Sequence, residues 1–169
     1  MSYARFAAMI AASTVVMFAL MYLNSYAIDH VWFSQTRAWM AVVMGAAMAM
    51  VMMAFMWRMY SNPRLNLAIV AAGIMAFAGA LWLVRSQETV DDLSYMKAMI
   101  PHHSIAILTS ERAHIRDSRV RDLADGIIEA QVREIAEMKQ LIADLERTEI
   151  PAGAPELLPT PPTQQTSQR

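Results

Sequence analysis

Three long runs of apolar residues dominate the first half of this chain. They extend over Phe6–Ala27, Ala38–Trp57 and Leu67–Val84. A helix needs about 20 mainly apolar residues to cross the hydrocarbon of a bilayer. Each run therefore predicts one membrane-spanning helix, and the lipid bilayer is the first expected partner of the chain. The first run ends in Ser25-Tyr26-Ala27, which resembles a signal cleavage site. Its apolar core is longer than the roughly 7–15 residues typical of a signal peptide, so we interpret it as a retained span.

The acidic residues divide the chain into a membrane half and a soluble half. Of the 15 acidic residues, Asp29 is the one that precedes Val84. This distribution predicts a membrane domain over residues 1–86 and a helical domain over 87–149. The last stretch, 150–169, is rich in proline and polar residues and is predicted to be a disordered tail. No basic stripe with interleaved aromatic residues is present, which argues against a nucleic-acid partner.

The basic residues near the span ends predict the orientation. Arg37 and Arg85 share one side with Asp29, whereas the other side carries three arginines without an acidic neighbour: Arg5, Arg58 and Arg64. Cytoplasmic loops carry the excess of Lys and Arg. We therefore expect the N-terminus in the cytoplasm and the segment after Arg85 outside. In a Gram-negative bacterium this places the chain in the inner membrane and the soluble domain in the periplasm.

The soluble domain has the pattern of two amphipathic helices. Apolar residues recur at spacings of three and four from about Thr89 to Ile107, and again from about Ser118 to Arg147. Ser118 is the expected N-cap of the second helix. The predicted fold is all-α, with three transmembrane helices followed by an antiparallel helical hairpin. Such a hairpin is too small to bury both apolar seams, so we expect a homo-oligomer, most simply a dimeric four-helix bundle.

Two thioethers and two imidazoles lie within eight residues of the first soluble helix. Met96, Met99 and His103 fall on one helical face, and His102 lies beside them. Thioether and imidazole ligands favour Cu(I) over hard cations, and the chain has no cysteine to supply a thiolate. The sequence therefore predicts a Cu(I) site. Pro101 lies inside the motif and predicts that the helix kinks or begins there.

The second helix is expected to complete this site. If the turn is centred near Asp117, Met138 opposes Met96 and supplies a further thioether. Gln131 then opposes His103, and Glu134 lies near Met99. Both polar side chains can accept a ring N–H from an imidazole and leave its other nitrogen free for a metal. We therefore predict an outer-shell role for Gln131 and Glu134.

The motif resembles a known domain family. Met99-Ile-Pro-His-His103, together with the downstream Gln131-x-x-Glu-Ile-x-x-Met138, is similar to the domain of unknown function 305 family over Asp91–Leu145. The resemblance implies a ferritin-like helical bundle, and it implies binding of copper or silver in the periplasm. The positions carried over by the motif are Met96, Met99, His102, His103 and Met138. Many members have a methionine where this chain has Thr109, so a ligand is missing here or comes from another chain or from the membrane half.

Half of the chain's 16 methionines lie in or just after the second apolar run: Met40, Met44, Met48, Met50, Met52, Met53, Met56 and Met59. Five of them recur every four residues, and such a row winds around a helix instead of forming a straight file. Lipid-facing or packing roles are therefore favoured over a relay that passes Cu(I) between thioethers.

Taken together, these features predict a membrane-anchored metal-binding protein and not an enzyme, acting in Cu(I) sequestration, delivery or tolerance, with silver as a possible mimic. One alternative is a structural role in which the hairpin is an oligomerisation module. Another is a ferritin-like di-iron enzyme, because Glu111-Arg-Ala-His114 has the Glu-x-x-His spacing of such bundles. In a dimer, Glu134 or Glu137 from two copies would supply the remaining carboxylates.

Overall fold

A computed structural model describes residues 2–148, 150–151 and 154–157 of the chain. Within these residues all of the assigned secondary structure is helical, which confirms the all-α prediction. The helices are α1 (Tyr3–Leu20), α2 (Gln35–Phe55), α3 (Pro63–Ser86), α4 (Asp92–Arg112) and α5 (Ser118–Leu145), with short 3-10 turns at Ile28–His30 and Trp57–Met59. Most of the predicted tail over 150–169 lies outside the described residues.

Helices α1, α2 and α3 are each long and apolar enough to cross a membrane, which supports the predicted spans. The first span is shorter than the sequence indicates, because α1 ends at Leu20 and not at Ala27. A side chain bonds the backbone just past its end: the Arg37 guanidinium donates to the Met21 carbonyl at 2.8 Å. The Tyr22 hydroxyl in turn accepts the Ser34 N–H at 3.0 Å. Residues 21–34, which we call the connecting segment, therefore leave the helix.

Helix α2 packs against both α1 and α3 in the membrane domain. Glycine permits the close approach: a Cβ atom at Gly73 would lie 2.8 Å from Met50 Cγ. Met53 is fully buried and clusters with Phe6 of α1 and with Tyr60. Two of the second-span methionines, Met50 and Met53, therefore have packing roles.

The hairpin prediction is confirmed, and its helix ends are set by aspartates. Asp91 accepts the Ser94 N–H at 2.7 Å and caps α4. Asp117 caps α5 by accepting the Arg119 N–H at 2.9 Å, so the predicted cap at Ser118 is wrong by one residue. A carboxylate suits this place because it complements the positive end of the helix dipole. Helix α4 runs without interruption through Pro101, so the alternative in which a helix begins there is also wrong.

One face of the hairpin is covered by the connecting segment. The Lys139 ammonium pairs with the Asp29 carboxylate at 2.6 Å. Trp32 packs against the hairpin core, which is formed by Met96, Ile100, Ile107, Ile135, Met138 and Ile142. The sequence did not predict this packing of the membrane half on the hairpin. One apolar seam of the hairpin is therefore covered by another segment of the same chain.

The core of the hairpin should be sensitive to the truncation of a single buried side chain. Ile100 is fully buried between α4 and α5, so Ile100→Ala should leave a cavity and lower the stability of the hairpin by about 2–5 kcal/mol. Amide hydrogen exchange of α5 in the detergent-solubilised chain measures this as a lower opening free energy. Leu123→Ala is the matched control, because Leu123 is 66% exposed and its loss should cost less than about 0.5 kcal/mol. Equal effects of the two variants would contradict this packing.

Candidate metal site

An open groove of about 290 Å³ lies between α4 and α5. Its lining residues are Tyr95, Met99, His103, Glu134, Glu137, Met138 and Leu141. Three of the predicted ligands, Met99, His103 and Met138, therefore meet at one place. The predicted outer-shell residue Glu134 lies there as well.

The other two predicted ligands lie beside the groove. Met96 is buried in the hairpin core, in the same cluster as Met138. His102 is exposed, and its ring centroid lies 6.2 Å from that of His103. Neighbouring residues on a helix point about 100° apart, and here His103 is partly buried whereas His102 is exposed. The structure thus gives the five predicted ligands three different surroundings: groove, core and solvent.

His103 is oriented towards α5. Its Nδ1 atom is buried and lies 3.7 Å from the nearer carboxylate oxygen of Glu134, which is longer than a hydrogen bond. Among the described residues neither this nitrogen nor the buried Oε1 atom of Gln131 has a hydrogen-bond partner. The contact with Glu134 lies about one helical turn beyond the predicted pairing of His103 with Gln131.

The environment of His103 favours the neutral imidazole. Burial lowers the pKa of His103 below its ordinary value. The Glu134 carboxylate raises this pKa and His102 lowers it, but burial has the largest effect and the net shift is downward. A neutral imidazole has a lone pair available for a metal, whereas an imidazolium has none. The groove therefore holds His103 in the form that can act as a ligand.

The His, Asp and Glu side chains of the described residues do not form a metal-binding cluster by themselves. Within the described ranges, no three His, Asp or Glu side chains lie close enough together to hold a metal ion. The Glu111-x-x-His114 spacing also lacks a helical context, because α4 ends at Arg112. Both of these side chains are exposed. A site of three such side chains is therefore not formed in the part of one chain that the structure describes.

The structure also shows polar contacts on both sides of the two histidines. The Tyr26 N–H donates to Ser104 Oγ at 2.7 Å, and His30 Nδ1 lies 3.0 Å from the same oxygen. Arg37 Nη2 donates to the Pro101 carbonyl at 3.3 Å. Sequence reasoning missed these contacts. The signal available was the polar pair Asp29-His30, in which Asp29 is the one acidic residue before Val84.

Comparison with known proteins relates the hairpin to a protein family. The family model described as "Domain of unknown function (DUF305)" matches residues 85–168, which include α4, α5 and the groove. A 64-residue stretch is 39% identical to an uncharacterized protein of Acanthamoeba polyphaga mimivirus. It covers 37% of this chain and 42% of the viral protein, so the chain matches less than half of that relative. No solved structure matches the chain. The family resemblance found in the sequence is therefore confirmed, and the segment 85–168 belongs to the DUF305 family.

Proposed function

We propose that this chain is a membrane-anchored metal-binding protein whose hairpin holds Cu(I), with Ag(I) as a mimic, for sequestration, delivery or tolerance. The observation that carries the proposal is the groove in which Met99, Met138 and His103 meet. Two soft thioethers and a neutral imidazole match Cu(I) better than they match Mg²⁺, Ca²⁺ or Mn²⁺. The ion is cargo in this proposal, and the chain needs no catalytic residue to hold it.

The unpaired groups at the groove fit a bound metal. A buried nitrogen without a partner, such as Nδ1 of His103, is unusual in a folded protein. A small movement of Glu134 would let its carboxylate accept the Nδ1–H and leave Nε2 for Cu(I). Met96 and His102, on the same helix, complete the proposed ligand set. Gln131 remains the second proposed outer-shell residue, since its buried Oε1 atom is also free to accept a hydrogen bond.

The three apolar helices support an anchored form of this protein. The three arginines without acidic neighbours, Arg5, Arg58 and Arg64, lie at the end of the membrane domain opposite the hairpin. We propose a bacterial inner-membrane location with the N-terminus in the cytoplasm and the hairpin in the periplasm.

A second candidate function is an oligomerisation module. Apolar side chains on one face of α5 remain exposed in one chain, namely Val120, Leu123 and Leu141. Burying them against a second copy would give the four-helix bundle expected from the sequence. This function would leave self-association intact when the metal ligands are removed, which separates it from the first proposal.

Removal of a groove ligand should weaken Cu(I) binding. In an anaerobic competition with a Cu(I) chelator, the full chain in detergent should bind tightly, and His103→Ala or Met99→Ala should bind at least about tenfold more weakly. The matched controls are His114→Ala and Met75→Ala, because His114 lies in an exposed loop and Met75 is exposed on α3. These two variants should bind as the wild type does. Weak, non-stoichiometric binding by the wild type would contradict the proposal.

Cu(I) affinity should fall in acid. Protons compete with the metal for the imidazole, and the lowered pKa of His103 moves this competition to lower pH than for an ordinary histidine, whose pKa is about 6.5. Affinity should therefore decline in acid, with the contribution of His103 to that decline centred below about pH 6.5. A pH series of the same competition assay measures this. The part of the decline in affinity that is due to His103 should be absent in His103→Ala. A decline centred above about pH 6.5 would contradict the role of His103 as a buried, neutral ligand.

The orientation can be tested directly because the chain has no cysteine. Single cysteines are introduced as Ser61→Cys, in the loop before α3, and as Thr109→Cys, on an exposed position of α4. A membrane-impermeant maleimide applied to spheroplasts should label the second variant and not the first. Both should react after lysis, which controls for accessibility. The reverse pattern would show that the hairpin is cytoplasmic.

A further inference from the structure

The membrane half holds α4 on both sides of the histidine pair. Pro101 precedes the pair and accepts a hydrogen bond from Arg37 at 3.3 Å. Ser104 follows the pair and contacts two residues of the connecting segment. His102 and His103 therefore lie between two fixed points of the helix.

Arg37 links three parts of the chain. Its guanidinium donates to the carbonyls of Met21 and Pro101 at 2.8 and 3.3 Å. The same group lies 4.5 Å from the centroid of the Tyr22 ring, within cation–π range. Since the planar fork of arginine can serve two acceptors in fixed directions, Arg37 ties the end of α1 and the start of α2 to the middle of α4.

Ser104 is the second fixed point and is fully buried. A hydroxyl has one proton and two lone pairs, so Ser104 can accept the Tyr26 N–H at 2.7 Å and donate to His30 Nδ1 at 3.0 Å. Its removal would leave the Tyr26 N–H without a partner at the junction. The hydroxyl therefore connects the position of the connecting segment to the backbone next to His103.

We propose that Arg37 and Ser104 are positioning residues for the metal site, so that the membrane half sets the affinity of the hairpin for Cu(I). This inference rests on the proposed function and adds its regulation. Coupling between two sites is reciprocal. If docking of the connecting segment raises Cu(I) affinity, bound Cu(I) must strengthen docking by the same factor. A metal ion bound to the hairpin would thereby strengthen the docking of the connecting segment, which joins the end of α1 to the start of α2.

The first measurement is the Cu(I) affinity of the full chain in detergent. Ser104→Ala should bind Cu(I) about tenfold more weakly than the wild type, which lies within the roughly 5- to 150-fold range typical of coupling between two sites. Thr109→Ala is the matched control, since the Thr109 hydroxyl donates to the Ile105 and Ala106 carbonyls of its own helix. Its affinity should equal that of the wild type. Arg37→Lys keeps the charge but loses the fork, and should also weaken binding.

The second measurement is hydrogen exchange at the Tyr26 amide, with and without Cu(I). In the wild type and in Thr109→Ala, bound Cu(I) should slow this exchange by about tenfold, the same factor as in the affinities. In Ser104→Ala it should have no effect. A residue that only stabilises the fold would change exchange equally in the two states. Arg37→Lys provides the same comparison if Ser104→Ala does not fold.

The outcomes separate the two proposals. If the wild type does not bind Cu(I), the proposed function is overturned, and this inference with it. If the wild type binds but Ser104→Ala and Arg37→Lys bind equally well, and Cu(I) leaves Tyr26 exchange unchanged, the coupling alone is overturned. Weaker binding together with metal-dependent exchange supports both.

Discussion

The backbone that follows α1 needs hydrogen-bond partners. The positions of those partners determine how the three apolar helices and the hairpin are arranged. A helix that ends at Leu20 leaves carbonyl groups without partners in its last turn, and one of the carbonyls that follow, that of Met21, is taken by Arg37. Further along, the Tyr26 N–H reaches Ser104 of α4. Because unpaired buried polar groups are costly, these contacts hold the connecting segment against the hairpin. The hairpin is therefore fixed at a defined place relative to the three apolar helices.

This dependence explains what could be predicted from the sequence. The spans and the hairpin follow from local patterns of apolar residues, so their existence and order were predictable. The end of α1 was not predictable, because the apolar run continues through Met21–Ala27. The side chains that bond the backbone of this stretch, Arg37 and Ser104, lie 16 and more residues away in sequence. At the site, helical periodicity brought Met99 and His103 to one groove with Met138. It could not show that Met96 packs into the core, because thioethers serve as core residues and as ligands alike.

The two histidines illustrate how a helix divides one motif into different roles. His103 faces α5 and has a lowered pKa because it is partly buried, whereas its neighbour His102 is exposed. In the proposed function, His103 is the ligand that is ready to bind at neutral pH, and His102 is the one that an incoming ion meets from solvent. Burial of one imidazole and exposure of the next follow from the 100° step of the helix.

The connecting segment also limits where a second copy could bind. It occupies the side of α4 that carries Ser104, so a partner cannot use that side without displacing it. The exposed apolar side chains that remain include Tyr95 and Leu141, and both of these also line the groove. A second copy that buries them would therefore cover the proposed metal site and exclude water from it. Self-association and metal binding would then involve one and the same surface, while the opposite side of α4 stays attached to the membrane half.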